Sequence, residues 1–400
     1  MSKLHAPFRF DYVGSFLRPE NLLQARTQFE KSEISASDLK KIEDAAITDL
    51  VAKQKKAGFH VITDGEFRRH SWHLDFMWGL ENVKRIELSH GYYFHGLETY
   101  HTSVEIEGKI GGHNHPFVEH YKFVKQFEDE NTVAKQTLPA PAQTLSEFLR
   151  ADNIAHTKEI YPNYDDLIND LGKAYQTVIK ELYDAGCRNI QFDDCTWGMI
   201  VDKDYWEKKV GKSITVEAQA NAYLKVNNLA IEGKPDDLAI TTHVCRGNYQ
   251  STYAATGPYD RVAPYLFAKE NVDAFYLEYD DARSGGFEPL KYVTPGKKVV
   301  LGLITSKKPD LEDKATVIAR IKEASKYVPL ENLCLSPQCG FSSNAIGNKL
   351  TEEDQWKKLA LVKEIAKEVW GRELKTLYLT LKSKLCAYSF ILITFTLFYY

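Results

Sequence analysis

Residues 238–243 read LAITTH, follow the polar turn EGKPDD at 232–237 and lead into Val244 and Cys245. A short apolar, β-branched run bounded by Gly, Pro and Asp is the pattern of a strand buried on both faces. Seven further runs repeat it: 10–14 (FDYVG), 59–63 (FHVIT), 134–138 (AKQTL), 189–193 (NIQFD), 274–278 (AFYLE), 299–304 (VVLGLI) and 332–336 (NLCLS). Helical patterns lie between them. The spacing predicts helices over 38–56, with Ser37 as N-cap and Gly58 as stop, and over 165–184, closed by Gly186. Further helical stretches fall within 204–230, 311–327 and 352–370. Residues 83–111 alternate and are rich in Tyr, Gly and His, which predicts a β-hairpin insertion over 83–115 after the second strand. Eight strands separated by helices give an α/β chain, expected to be a (β/α)8 TIM barrel forming a single catalytic domain over 1–371. An open doubly wound sheet is the alternative, but no stretch reads G-x-G-x-x-G or G-x4-G-K-[ST].

The chain has 400 residues, 44% of them hydrophobic and 26% charged, which excludes a disordered protein or a small disulfide-stapled scaffold. Lys and Arg number 51 against 55 Asp and Glu, a net charge of −4, so no basic excess points to nucleic acid. Six cysteines in this length suit metal or catalytic use better than a disulfide framework. The start, MSKLHAPFRF, lacks the apolar core of a secretory signal, and a cytoplasmic location is expected. Leu385 to Tyr400 carries no charge and is mostly apolar, slightly short for a spanning helix. Residues 372–400 are therefore set apart as an atypical extension: a marginal membrane tail and a packed terminal element are the alternatives to the preferred reading, a frameshift or read-through extension foreign to the domain before it.

In a barrel of this kind, chemistry gathers where the strands end. Those ends carry Gly14 and Ser15, Glu66, Asp193 and Asp194 with Cys195, His243 and Cys245, Glu278, and Cys339. His243 and Cys245 are two apart and so share one face of their strand. Imidazole and thiolate are ligands that Zn²⁺ prefers, and Glu278 and Cys339 complete a four-residue set from neighbouring strand ends. The bland alternative is a core histidine beside a buried thiol. A carboxylate ending the apolar run AFYLE argues against it, because burying that group without a partner is costly. Cys187, Cys334 and Cys386 read as packing or incidental residues. His70 and His73, like His113 and His115, read as loop or surface residues.

As a set, VGS (13–15), GE (65–66), QFDD (191–194), THVC (242–245), YLE (276–278) and SPQCG (336–340) resemble the C-terminal catalytic barrel of cobalamin-independent methionine synthase, in its short single-barrel bacterial form. The resemblance spans about 330 residues in the family's order. It implies one Zn²⁺ on His243, Cys245, Glu278 and Cys339. It also implies homocysteine held at its amino group by Glu66 and Asp193, and at its carboxylate by backbone at Gly14 and Ser15. Methyl transfer to homocysteine, giving methionine, is the implied reaction.

Three features depart from the family pattern. An N-terminal barrel of two-barrel members has no counterpart, and the turn after the seventh strand, GLITSKKP (302–309), lacks the family's proton-donating histidine. The stacking tryptophan expected after the third strand is not evident in LPAPAQTLSEF (138–148). The methyl donor is therefore open between a methylfolate and a methyl-corrinoid. Asp194 and Thr305 stand as candidate sources of a proton for the leaving group. Three other readings remain: a zinc alkyltransferase with a different thiol, a metal-free decarboxylase on a related barrel, and a non-catalytic zinc-binding barrel.

Overall fold

The computed structural model describes residues 4–94, 96–210 and 213–371. The extension at 372–400 lies outside the described residues, as does Cys386. The structure is a mixed α/β fold around a parallel sheet. The strands are β1 (Val61–Ile62), β2 (Glu81–Glu87), β3 (Tyr93–Phe94), β4 (Leu97–Glu98), β5 (Thr102–Gly111), β6 (Val133–Ala134), β7 (Gln136–Pro139), β8 (Asn189–Asp194), β9 (Ala239–Val244), β10 (Ala274–Glu278), β11 (Lys298–Ile304) and β12 (Leu333–Pro337). A six-stranded sheet runs β12-β11-β10-β9-β8-β7, and β1 pairs with β6. Both sets are parallel. Strands β8 to β12 are buried along almost their whole length, which explains why they read as near-continuous apolar runs.

The first expected strand, 10–14, reduces to a single parallel bridge from Phe10 to Leu335. Beyond it the Asp11 side chain turns inward to the Tyr276 hydroxyl (2.9 Å) and the Lys135 ammonium (3.2 Å). Lys135 also donates to Tyr12 O at 2.6 Å and Gln191 Oε1 at 3.0 Å. This residue interrupts the expected strand 134–138 and divides it into β6 and β7. Residues 83–111 do form antiparallel structure: β2 pairs with β5, and β3 with β4.

The helix expected at 38–56 runs Ala36–Ala57, and its N-cap is Ser35 rather than Ser37. The Ser35 hydroxyl accepts from Asp38 N, which leaves Ser37 inside the first turn. Gly58 stops the helix in the left-handed region at φ 80°, where a Cβ is unfavourable. The second long helix, Tyr164–Asp184, is capped by Asn163. The stretch 204–230 divides into Lys203–Lys209 and Val216–Ala230, and 311–327 shortens to Lys314–Ala324 behind the Asp313 cap. Short helices such as Glu20–Glu30, Pro116–Lys125 and Pro141–Phe148 were not legible from periodicity. No helix among the described residues is long and apolar enough to cross a membrane.

Candidate metal and substrate site

Strands β8 and β9 run in register with Asp193 opposite His243. Strand alternation carries the His243 face on to Cys245, whose N–H continues the ladder to Asp194 O at 2.9 Å. Cys339 arrives from the loop after β12. That loop is fixed by Gln338 N donating to Ile304 O (2.8 Å) and by Asn248 Nδ2 and Ser306 Oγ donating to Gly340 O (both 2.9 Å). The Sγ atoms of Cys245 and Cys339 are 3.9 Å apart. Ligand atoms of His243, Cys245 and Cys339 all lie within 4.8 Å of one another. Two sulfurs each about 2.3 Å from a tetrahedral ion stand about 3.8 Å apart, so the pair has the spacing of a metal-binding dithiol.

Asp193 Oδ1 meets His243 Nδ1 at 2.9 Å, and His243 Nε2 meets Gln338 O at 2.9 Å. Burial lowers the His243 pKa, but the Asp193 hydrogen bond and the neighbouring acidic groups win and lift it to about 9. Both thiols are held well above the usual thiol range. For Cys245 the first cause is its hydrogen bond with Cys195; for Cys339 it is the bond with Cys245, and burial adds to both. The metal-free site is thus a protonated set that must release protons to bind a cation.

Glu278 is fully buried at the end of β10 but falls outside this three-residue group. Its Oε1 accepts from Arg246 N (2.8 Å) and its Oε2 from Arg283 (2.8 Å). The sequence offered no signal for Arg283, which reaches back from five residues downstream.

A second polar cluster adjoins the first. Gly65 and Glu66 both adopt left-handed backbone, at φ 64° and 61°. For Glu66 that conformation costs about 1 kcal/mol or more, and such strain concentrates at functional sites. It is held by Asp64 Oδ1, which accepts from Glu66 N (2.8 Å), and by Arg18, which donates to Glu66 O (2.8 Å). The Glu66 carboxylate accepts from Thr137 Oγ1 (2.9 Å) and lies 3.2 Å from the Arg69 guanidinium. Burial, opposed by Arg69 and reinforced by Asp193 and Asp64, raises its pKa to about 7. Gly14 packs on Thr137 and Glu66, and Ser15 is buried against Gly340, the residue after Cys339. A Cβ at Gly340 would collide with Ser15 Oγ.

Asp194 does not join either cluster. Alternation turns it to the other face of β8, where it accepts from Thr196 N (2.8 Å) and Asn227 Nδ2 (3.2 Å). Thr305 lies in the turn after β11, its hydroxyl accepting from Lys307 N (3.2 Å). Cys195 touches Cys245, a third thiol at the site. His115 is not a surface residue: it is buried and caps the helix Pro116–Lys125, accepting from Phe117 N at 3.1 Å. His73 is also buried, and burial lowers its pKa to about 4. His113 is exposed beside Glu81, and His70 packs its ring at a tilt against Tyr100. Cys187 and Cys334 are buried packing residues.

A sequence profile described as the catalytic domain of cobalamin-independent synthase matches residues 154–368. The uncharacterized Bacillus subtilis protein YxjG is 44% identical over 366 residues, spanning 91% of this chain and 95% of its own. The chain belongs to the cobalamin-independent methionine synthase family. A Listeria monocytogenes crystal structure, provisionally named a vitamin-B12-independent methionine synthase, is 41% identical with a TM-score of 0.72, covering 92% of this chain and 99% of that one. A methionine synthase of Saccharolobus solfataricus is 26% identical over 334 residues, covering 82% of this chain and 86% of that protein. The matches span nearly the full length of both the Bacillus relative and the Listeria structure.

Proposed function

We propose that the protein is a zinc-dependent methyltransferase that moves a methyl group to the thiol of homocysteine and forms methionine. The carrying observation is the Cys245–Cys339 pair, 3.9 Å apart beside His243, in a chain of this family. Two thiols and an imidazole suit Zn²⁺, and His243, Cys245 and Cys339 would hold it. Glu278 is the fourth ligand in this reading, and must exchange its Arg246 and Arg283 partners to serve. Bound there, zinc would favour the thiolate of an incoming thiol at neutral pH, as it does the hydroxide of bound water.

The chain's own residues supply the rest. Asp193 fixes the ring of His243 through Oδ1, and its other oxygen is available to a substrate ammonium. Glu66, whose pKa stands at about 7, ionises fully when that ammonium approaches. Gly14 and Ser15 present backbone to the substrate carboxylate. The rigid strand ends hold thiol and methyl group in a near-attack pose.

We read the six-stranded sheet, the β1–β6 pair and the Phe10–Leu335 bridge as arcs of one closed (β/α)8 barrel over 1–371, with 83–115 inserted. Support comes from Phe16 N donating to Gly65 O (3.1 Å) and Thr63 Oγ1 donating to Gly14 O (2.8 Å), which join the first segment to β1. The five described cysteines are all free, in keeping with a reducing cytoplasm.

A methylfolate is the proposed donor. A methyl-corrinoid is the second reading, favoured by the lack of a histidine at 305–307. The test is zinc-loaded protein with homocysteine and each donor, read as methionine formed. Turnover that survives metal removal overturns the proposal.

A further inference from the structure

A buried amine with no hydrogen-bond partner among the described residues stands beside Glu278 at the end of β10. Lys307, in the turn after β11, is only 6% exposed. Its Nζ lies 4.0 Å from Glu278 Oε2, too far for a hydrogen bond, and has no hydrogen-bond partner among the described residues. Glu278 is already engaged by Arg246 N and Arg283. The turn itself is fixed. Gln338 Oε1 accepts from Ser306 N (2.5 Å), Gly340 O accepts from Ser306 Oγ (2.9 Å), and Ser306 O accepts from Asn348 Nδ2 (2.8 Å). Lys307 is thus anchored to the loop that carries Cys339. A buried ammonium with its donors unused is costly, and the usual resolution is an acceptor brought by a ligand.

The amino-acid substrate, in the reading above, is received at Gly14, Ser15, Glu66 and Asp193. The β10–β11 ends remain for the second substrate. We propose that Lys307 binds the leaving half of the methyl donor through an acceptor oxygen or nitrogen, and that the donor is neutral or anionic there rather than a sulfonium. This inference rests on the methyl-transfer reading. In the transfer, a sulfur electron pair forms the S–CH₃ bond. The bond from methyl carbon to leaving atom breaks, its pair stays on that atom, and one unit of negative charge passes from sulfur to the leaving group. A fixed ammonium beside that group stabilises the charge. A sulfonium would bring its own positive charge against Lys307 and Arg283, and would leave as a neutral thioether that needs no cation.

The experiment uses zinc-loaded full-length protein, wild type and the variants K307M and K307R, with melting curves to confirm folding. Homocysteine binding is measured first, by calorimetry. Its absence in the wild type sinks the methyl-transfer reading itself. Binding of tetrahydrofolate mono- and triglutamate and of hydroxocobalamin is then measured with homocysteine present. Turnover is followed with the methylated forms and with S-methylmethionine. The proposal expects K307M to weaken donor binding and raise donor KM about ten- to hundredfold. K307R should recover part of the loss, with zinc content and homocysteine Kd unchanged within twofold. If K307M fails to fold, K307Q replaces it. An unchanged donor KM in the folded variant overturns the proposal. So does a wild type that binds homocysteine but neither donor class, or that turns over only the sulfonium.

Discussion

Metal binding to this site should be unusually steep in pH. In the metal-free protein the Cys245 and Cys339 thiols are held well above the usual thiol range, and His243 is raised to about 9. All three are therefore protonated at pH 7.5, and all three must lose a proton to act as ligands. Binding releases three protons, so apparent affinity rises about a thousandfold per pH unit below pH 9, worth about 4 kcal/mol per unit at about 1.36 kcal/mol per proton. The assay is calorimetric titration of apo-protein with Zn²⁺ in buffers of different ionisation heat, which yields the number of protons released. A value near three is expected for the wild type and near two for C339S, with much weaker binding in the variant. Release of one proton or none by the wild type would refute the ligand assignment, and so would a C339S variant indistinguishable from it.

Glu66, raised to about 7 from an ordinary 4.5, is an acid that folding favours in its neutral form. Its contribution to stability is full below pH 4.5 and is lost as pH rises through 7. E66Q should therefore stabilise the substrate-free protein at pH 8, by on the order of 1–3 kcal/mol in denaturant melts, while weakening homocysteine binding. D193N should weaken homocysteine about tenfold or more by isothermal titration and still retain zinc; zinc loss on dialysis would instead make Asp193 a support for His243 alone. In G340A the new Cβ must push Ser15 away, so stability should fall by about 1–3 kcal/mol in chemical denaturation, and an unchanged midpoint would show that the loop yields freely.

Much of the fold was readable because burial on both faces leaves a plain trace. AFYLE at 274–278 is β10 without adjustment, and the 189–194 and 239–244 strands shift by one residue or less. The reading fails where polar residues sit inside the sheet. Asp11 and Lys135 satisfy one another across the interior, so FDYVG keeps only one bridge and AKQTL is divided. A lysine in a strand pattern gives no hint, in sequence, that its partner lies 124 residues earlier. Ser35 and Ser37 show the same limit on a smaller scale, since both are good caps and only the geometry of Asp38 N chooses between them.

At the site, the sequence brought His243, Cys245 and Cys339 together better than it foresaw the charges around them. Two-residue alternation was enough to place His243 beside Cys245, and by the same rule it separates Asp193 from Asp194. What spacing does not encode is counter-charge from other elements. Arg283 engages Glu278, Arg69 faces Glu66, and Lys307 lies 4.0 Å from Glu278 Oε2 without a hydrogen-bond partner among the described residues. These cations bear on the chemistry directly. A dithiol with an imidazole is already a complete binding set for a borderline-soft cation plus one exchangeable position. A carboxylate locked in an arginine pair competes poorly for that position against an incoming thiol. The Glu278–Arg283 contact thereby ties the site's openness to substrate to a residue that touches neither metal nor thiol. Removing it with R283M should let Glu278 hold the fourth position more firmly, tightening zinc and raising the homocysteine Kd together, whereas a purely structural role would weaken both.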